Sequence, residues 1–298
     1  MYEQIAQNKR NSIMLVAVFV ILIIALAEIA GVASGIGYYA LLFAVVFSAV
    51  MALTSYYRGD KIIMAISRAH RIEKKDNPQL FNVVEEMAIA GGLPLPQVYI
   101  INDTAPNAFA AGRNPKTASV AVTTGLLDKL NREELQGVLA HELSHIRNYD
   151  ILFCTIIAVL VGIVAMLCDF VMRTFFFGGR GRSRSGKSGG GGGGIILLVG
   201  LLFAIIAPIF AQIIRLSVSR QREYLADASS VALTRYPEGL ARALEKISGD
   251  GSKLKVANRA TQHLYIVNPL KPVEGLKRNN IFSTHPPVEE RIRRLRSM

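Results

Sequence analysis

His141-Glu142-Leu143-Ser144-His145 sets two histidines four residues apart, with a glutamate directly after the first. On an α-helix, residues four apart lie one above the other, so both imidazoles can reach one metal ion. Glu142 follows His141 by about 100° around the helix axis, close enough to hold the attacking water beside that ion. Two nitrogen ligands and a carboxylate base are what a zinc hydrolase needs. The flanks predict the helix itself. Asn131 is an N-cap with Glu134 three residues on, the spacing of a capping box. Leu135, Leu139, Leu143 and Ile146 then recur as an apolar stripe, and the helical pattern runs to about Tyr149. The two histidines point away from that stripe. Two of the chain's 5 histidines share one turn off the apolar face; a metal accounts for that, and core packing does not.

The surrounding chain is built for a membrane. Of its 298 residues 51% are hydrophobic, and the mean hydropathy is +0.33, too apolar for an ordinary soluble domain. Four apolar stretches, 13–29, 38–57, 151–171 and 195–214, approach the ~20 residues that a helix needs to cross the hydrocarbon core. The first reads as an uncleaved anchor rather than a signal peptide, because it is long and the second follows at once. The expected fold class is therefore a mostly α integral membrane protein, with two transmembrane helical hairpins and a cytoplasmic α+β zincin-like catalytic domain. The hairpins occupy residues 1–57 and 151–214, the second enclosing a glycine-rich basic loop at 178–194. The catalytic regions are 58–150 and 215–298.

Charge orients this arrangement. Lys9 and Arg10 precede the first hairpin, and Arg58, Lys61, Arg68, Arg71, Lys74 and Lys75 follow it. By the positive-inside rule both flanks are cytoplasmic, which makes the chain a multi-pass protein of the cell membrane with the HExxH region inside. The loop carries Arg180, Arg182, Arg184 and Lys187, against that rule if the second hairpin spans. Spanning and partial insertion both stay open, with spanning expected from the length of the segments. The net charge of +12 gathers beside the apolar stretches, where it meets anionic lipid. No nucleic-acid-binding motif accompanies it, so the bilayer and not a nucleic acid is the expected partner. Cys154 and Cys168 both fall inside the third apolar stretch and read as packing residues.

A catalytic zinc takes a third protein ligand, which must come from a distant segment. Directly after the fourth apolar stretch, Glu223 and Asp227 share a helix face. Glu223 can complete a His₂Glu set, and Asp227 can accept the free N–H of a ligand histidine. The alternative is an exposed charged helix whose acids pair with Arg220 and Arg222; spacing alone leaves both open. Before the HExxH helix, 97–101 reads as a strand, and 107–112 with 119–123 as a β-hairpin turning at Arg113-Asn114-Pro115. A strand there, at Asn107, Ala108, Phe109 and Ala110, offers backbone groups to an extended peptide substrate. His285 sits in a loop before a basic helix at Val288–Leu295. His70 and His263 read as solvated or capping residues.

These segments together resemble the membrane zinc metalloproteases of the HtpX type, heat-shock-associated proteases related to the CAAX prenyl endopeptidases. The likeness rests on Asn107 to Gly112, on Ser119 to Thr123 with Gly125-Leu126-Leu127, on His141 to His145, on Ser219 to Asp227, and on Ser283-Thr284-His285-Pro286. It covers essentially the whole chain in the same order. It implies one Zn²⁺ per chain held by His141, His145 and Glu223, with Asp227 bonded to a ligand histidine. It also implies cleavage of misfolded or damaged membrane proteins on their cytoplasmic side, as part of membrane quality control. Glu142 is then the general base, and His285 a helper of the oxyanion. A specificity for prenylated C-termini shares this chemistry. A zinc-binding scaffold without activity fits less well, since its spans should carry polar pathway residues and Glu142 would have no role.

Overall fold

The computed structural model describes residues 2–35, 37–178, 219–257, 260–269 and 286–298. The fourth apolar stretch and the basic loop lie outside them, apart from Gly178 at a helix end. Two long helices open the chain, α1 (Tyr2–Ser34) and α2 (Gly37–Ile66). They are joined at Gly35, whose φ of +74° suits a residue without a Cβ, and they pack on one another. Gly31 permits the close approach: a Cβ there would sit 2.6 Å from that of Ala40. Both helices are long and apolar enough to cross a membrane. Ile13, Ile21, Phe43 and Leu53 are exposed by 58–72%, and a surface this apolar is at home in lipid.

A short strand, β1 (Ala69–Arg71), and helix α3 (Pro78–Ala90) follow, then β2 (Gln97–Ile101), β3 (Ala108–Ala111) and β4 (Ser119–Thr123). The sheet order is β1-β2-β4-β3. β3 and β4 form the antiparallel hairpin expected from sequence, with Ala110 opposite Val120, while β2 runs parallel to β4. Every residue of β3 and β4 is buried, because the sheet is covered on both faces. Ala108, Ala110, Val120 and Val122 join a core with α3, the HExxH helix and the helices after it. Phe109, Ala111 and Ala121 face Ile63 and Met64 of α2 and Ala158 and Val159 of the next helix. The period-2 alternation of strand side chains thus sends one set to the catalytic side and the other to the ends of the apolar helices.

After the short α4 (Thr124–Lys129) comes α5 (Arg132–Arg147), the HExxH helix. Its capping box forms as expected: Glu134 N–H donates to Asn131 Oδ1 and Asn131 N–H to Glu134 Oε2, both at 2.9 Å. Leu135, Leu139, Leu143 and Ile146 are at most 1% exposed, each worth ~1.5–3 kcal/mol of burial. Tyr149, at φ 60°, turns the chain into α6 (Asp150–Gly178), and the axes of α5 and α6 bend by 85°. The first half of α6 is largely buried against α1 and α2. The remaining helices are α7 (Arg220–Thr234), α8 (Pro237–Gly249) and α9 (Val288–Leu295). Both α7 and α8 pack on α5.

Candidate active site

α5 and α7 bring the site together. His141, His145 and Glu223 each offer a ligand atom, all within 4.8 Å of one another. The two imidazoles are oriented from behind. His141 Nδ1 lies 2.9 Å from Asp227 Oδ1, and His145 Nδ1 lies 3.0 Å from Asp150 Oδ2. Each carboxylate accepts an Nδ1–H, which turns the Nε2 atoms towards one another. The two Nε2 atoms converge to 3.2 Å, and Glu223 oxygens stand 3.6 and 3.8 Å from them. Ligands at ~2.0–2.1 Å around a tetrahedral zinc are about 3.3 Å apart. The donor set and its spacing fit that ion.

Behind these contacts stands a second layer that sequence spacing did not reveal. Arg291 of α9 is fully buried and grips Asp227 with two bonds, Nε to Oδ2 at 2.9 Å and Nη2 to Oδ1 at 2.7 Å. Its Nη1 donates to Ile266 O at 3.1 Å. On the other side, Asn8 of α1 donates from Nδ2 to Asp150 Oδ1 at 2.7 Å and to Asn148 O at 3.1 Å. Arg222 reaches Asn8 Oδ1 at 3.1 Å and Asp150 at 3.5 Å. Asp150, three residues past the HExxH helix and at the start of an apolar run, was missed although it is an acid five positions from His145. Asn8, over 100 residues away, carried no local signal. Nor did Arg291, one of several arginines in a basic helix.

These neighbours set the charges. Burial raises Asp227, but Arg291 and His141 outweigh it and hold the carboxyl at about 2. For Glu142 burial wins, and the carboxyl rises to about 7, although His145 lowers it and the Ala110 backbone N–H donates to it. Burial lowers His141 against the pull of Asp227. Burial also lowers His145, yet Asp150 and Glu223 overcome it and raise the ring to about 9. A buried acid near 7 suits a group that takes and returns a proton.

Around His141, His145 and Glu223 lies a cavity of about 40 Å³, lined among others by Ala110, Glu142, Cys154, His263 and Tyr265, with space for waters and not for a peptide. Its small size has a cause in the chain. The outer edge of β3 is taken by the segment after Leu264: Ile266 N–H donates to Ala108 O at 3.1 Å, Phe109 bridges Tyr265, and Asn107 Nδ2 donates to Val267 O at 2.9 Å. So Asn107, Ala108, Phe109 and Ala110 lie beside the site, along the edge expected to receive a peptide. His263, expected to be solvated or capping, is instead buried at 3% exposure, with Nε2 3.1 Å from Cys154 O. His70 is exposed in β1, and His285 lies outside the described residues.

Comparison with known proteins agrees with this geometry. Residues 74–298 match Peptidase family M48. The chain is 44% identical over 297 residues to a protease HtpX homolog of Dictyoglomus thermophilum, covering 100% of this chain and 94% of that protein. It is 44% identical over 305 residues to a protease HtpX homolog of Listeria monocytogenes serotype 4b, covering 100% of both. The crystal structure of S. mikatae Ste24p shares the fold, with a TM-score of 0.51 and 19% identity over 99% of this chain and 67% of that one.

Proposed function

From the premise that the chain belongs to peptidase family M48 and is a membrane metalloendopeptidase, we propose that it uses one zinc ion to cut membrane proteins close to the bilayer surface, on the cytoplasmic side. The observation that carries this reading is the convergence of His141, His145 and Glu223 at the point where α5 turns into the buried apolar α6. A substrate reaching this site from the membrane would be cut in a loop or tail near the surface. Misfolded and damaged membrane proteins expose such segments, in keeping with quality control under stress.

His141, His145 and Glu223 would hold the zinc, with Asp227 and Asp150 fixing the two rings. When bound, zinc supplies a Lewis acid that polarises the scissile carbonyl and makes water acidic near neutral pH. Glu142 takes the proton of the attacking water and passes it to the leaving amide nitrogen. Ala110 N–H, which donates to Glu142, holds that carboxylate in place. An extended peptide adding to β3 at Asn107–Ala110 would replace Tyr265 and Ile266 at the edge. That exchange gives up the bonds of Ile266 N–H to Ala108 O and of Asn107 Nδ2 to Val267 O and regains equivalent pairing. To His285 we assign the stabilisation of the oxyanion.

The test is cleavage of a detergent-solubilised membrane protein by the zinc-loaded chain and by Glu142→Gln. The variant is expected to keep its zinc and lose on the order of 10²–10⁴ in rate. Near-normal turnover by Glu142→Gln would sink the assignment. A farnesylated peptide supplied in parallel separates the two specificities. Cleavage of that peptide alone would replace quality control with processing of prenylated C-termini.

A further inference from the structure

A second, far larger cavity opens away from the metal, between α1, α2 and the catalytic part. It measures about 1070 Å³. Its lining changes character along its length. On α1, Lys9, Ser12, Ile13 and Val16 face it, spaced as one side of a helix and running from charged to apolar over about 10 Å. On α2, Tyr56 lies at the polar end and Leu53 and Ala52 deeper. Arg113 and Lys116, from the turn of the β3–β4 hairpin, close the polar end, while Leu152 and Ile156 of α6 continue the apolar wall.

The charge of this cavity is one-sided. Lys9, Arg113 and Lys116 line it, and no aspartate or glutamate does. Among the described residues none of the three cations has a carboxylate within 4.0 Å. Lys9 and Arg113 stand over aromatic rings instead. Lys9 Nζ stands 4.6 Å from the centre of Tyr149, and the Arg113 guanidinium 4.7 Å from that of Tyr57 and 5.5 Å from that of Tyr56. Ring faces that could receive a quaternary ammonium are therefore covered by the protein's own cations. The tyrosines also mark depth, since such rings settle where a membrane helix meets the headgroups. Ile13 and Leu53, exposed by 72% and 58%, lie on the lipid side of that level.

We propose that this cavity is a binding site for one phospholipid with a net negative headgroup. The phosphate, with no ammonium beside it, sits among Lys9, Arg113 and Lys116. An acyl chain lies along Ile13, Val16, Leu53 and Ile156. An empty cationic end would face only solvent, and an apolar end without a chain would face water. One anionic lipid satisfies both ends at once, at the depth the tyrosines define.

The full chain, purified in detergent, is given phosphatidylglycerol or phosphatidylcholine and examined by native mass spectrometry. One phosphatidylglycerol is expected to survive detergent exchange, and phosphatidylcholine is expected to wash off. In Lys9→Gln/Arg113→Gln/Lys116→Gln, retention should weaken on the order of a hundredfold. Arg58→Gln/Lys61→Gln/Lys75→Gln, which removes the same charge elsewhere, should leave it unchanged. Ala52→Trp fills the apolar end without touching a cation and should displace the lipid, which keeps the proposal testable if the first triple variant does not fold. Glycerol phosphate, a headgroup without a chain, should not compete. The proposal is overturned by equal retention of the two lipids, by phosphatidylglycerol on the Lys9 triple variant or on Ala52→Trp, or by full competition from glycerol phosphate. It is overturned too if Leu53→Cys crosslinks to a cysteine placed in 195–214 of the lipid-free protein, since the chain itself would then fill the cavity.

Discussion

Asn8 donates a hydrogen bond of 2.7 Å to Asp150, and through it the first apolar helix holds the ring of His145. Asp150 uses its other oxygen on His145 Nδ1, so Asn8 fixes the carboxylate that fixes the ligand. Partners of this kind are worth about 10–100-fold in metal affinity or activity. Asp150→Ala is expected to weaken zinc binding within that range, and Asn8→Ala by less, about tenfold. Competition with a zinc chelator measures both. Equal affinity of wild type and Asp150→Ala would detach α1 from the site.

On the opposite ring, Glu223→Ala should lose the metal outright, while Asp227→Ala should keep it at lowered affinity. The first removes a direct bond and the second an orienting hydrogen bond. Metal content of the two purified variants decides it. Full occupancy in Glu223→Ala would move the third ligand elsewhere.

The pairing of Asp227 with Arg291 has a pH signature. The folded carboxyl sits at about 2, below the ~3.9 of an unfolded chain. Its stabilisation is therefore complete above about pH 4 and lost as the pH falls towards 2. Arg291→Met leaves Asp227 buried without its cation, at a cost of roughly 3–5 kcal/mol at neutral pH. It should also flatten the loss of stability below pH 4. Denaturation midpoints of the metal-free protein from pH 7 to 2.5 report both changes. An unaltered acid limb in the variant would show that the pair does not set it.

Packing behind the metal helix is equally specific. A Cβ on Gly137 would lie 2.7 Å from the backbone nitrogen of Leu240, and Ser230 Oγ donates to Gly137 O at 2.8 Å. Gly137→Ala must push α8 away from α5. Overpacking of this kind costs about 1–3 kcal/mol, despite the better helix propensity of alanine. Thermal unfolding tests this, and an unchanged midpoint would mean that α8 yields freely.

His141 and Glu223 must meet at one ion, which puts both catalytic regions on one face of the membrane, and the basic flanks of the first hairpin make the cytoplasmic face the expected one. Ser252 is exposed after α8. A membrane-impermeant reagent should label Ser252→Cys only from the cytoplasmic face of sealed vesicles. Labelling from the other face alone would defeat the cytoplasmic assignment.

Local chemistry was legible and remote chemistry was not. The Asn131–Glu134 box, the β3–β4 hairpin and the His141/His145 pair each depend on residues within about twenty positions, where helix and strand periods constrain what can meet. Glu223 and Asp227 could be placed on one face by spacing, but only the packing of α7 on α5 carries them to the histidines. His263 misled because a lone loop histidine gives no sign of its burial. Asn8, Asp150 and Arg291 join segments 64 to 142 residues apart, and no periodicity reaches that far.

The sheet that lies between the two halves of the molecule leaves no plane along which it could be divided. A fragment beginning at Ala69 would strip Ile63 and Met64 from one side of the strands and thin the cover over Phe109, Ala111 and Ala121. It would also forfeit Asn8. Cutting the chain free of its first two helices is therefore expected to bare apolar surface and to loosen the His145 ring.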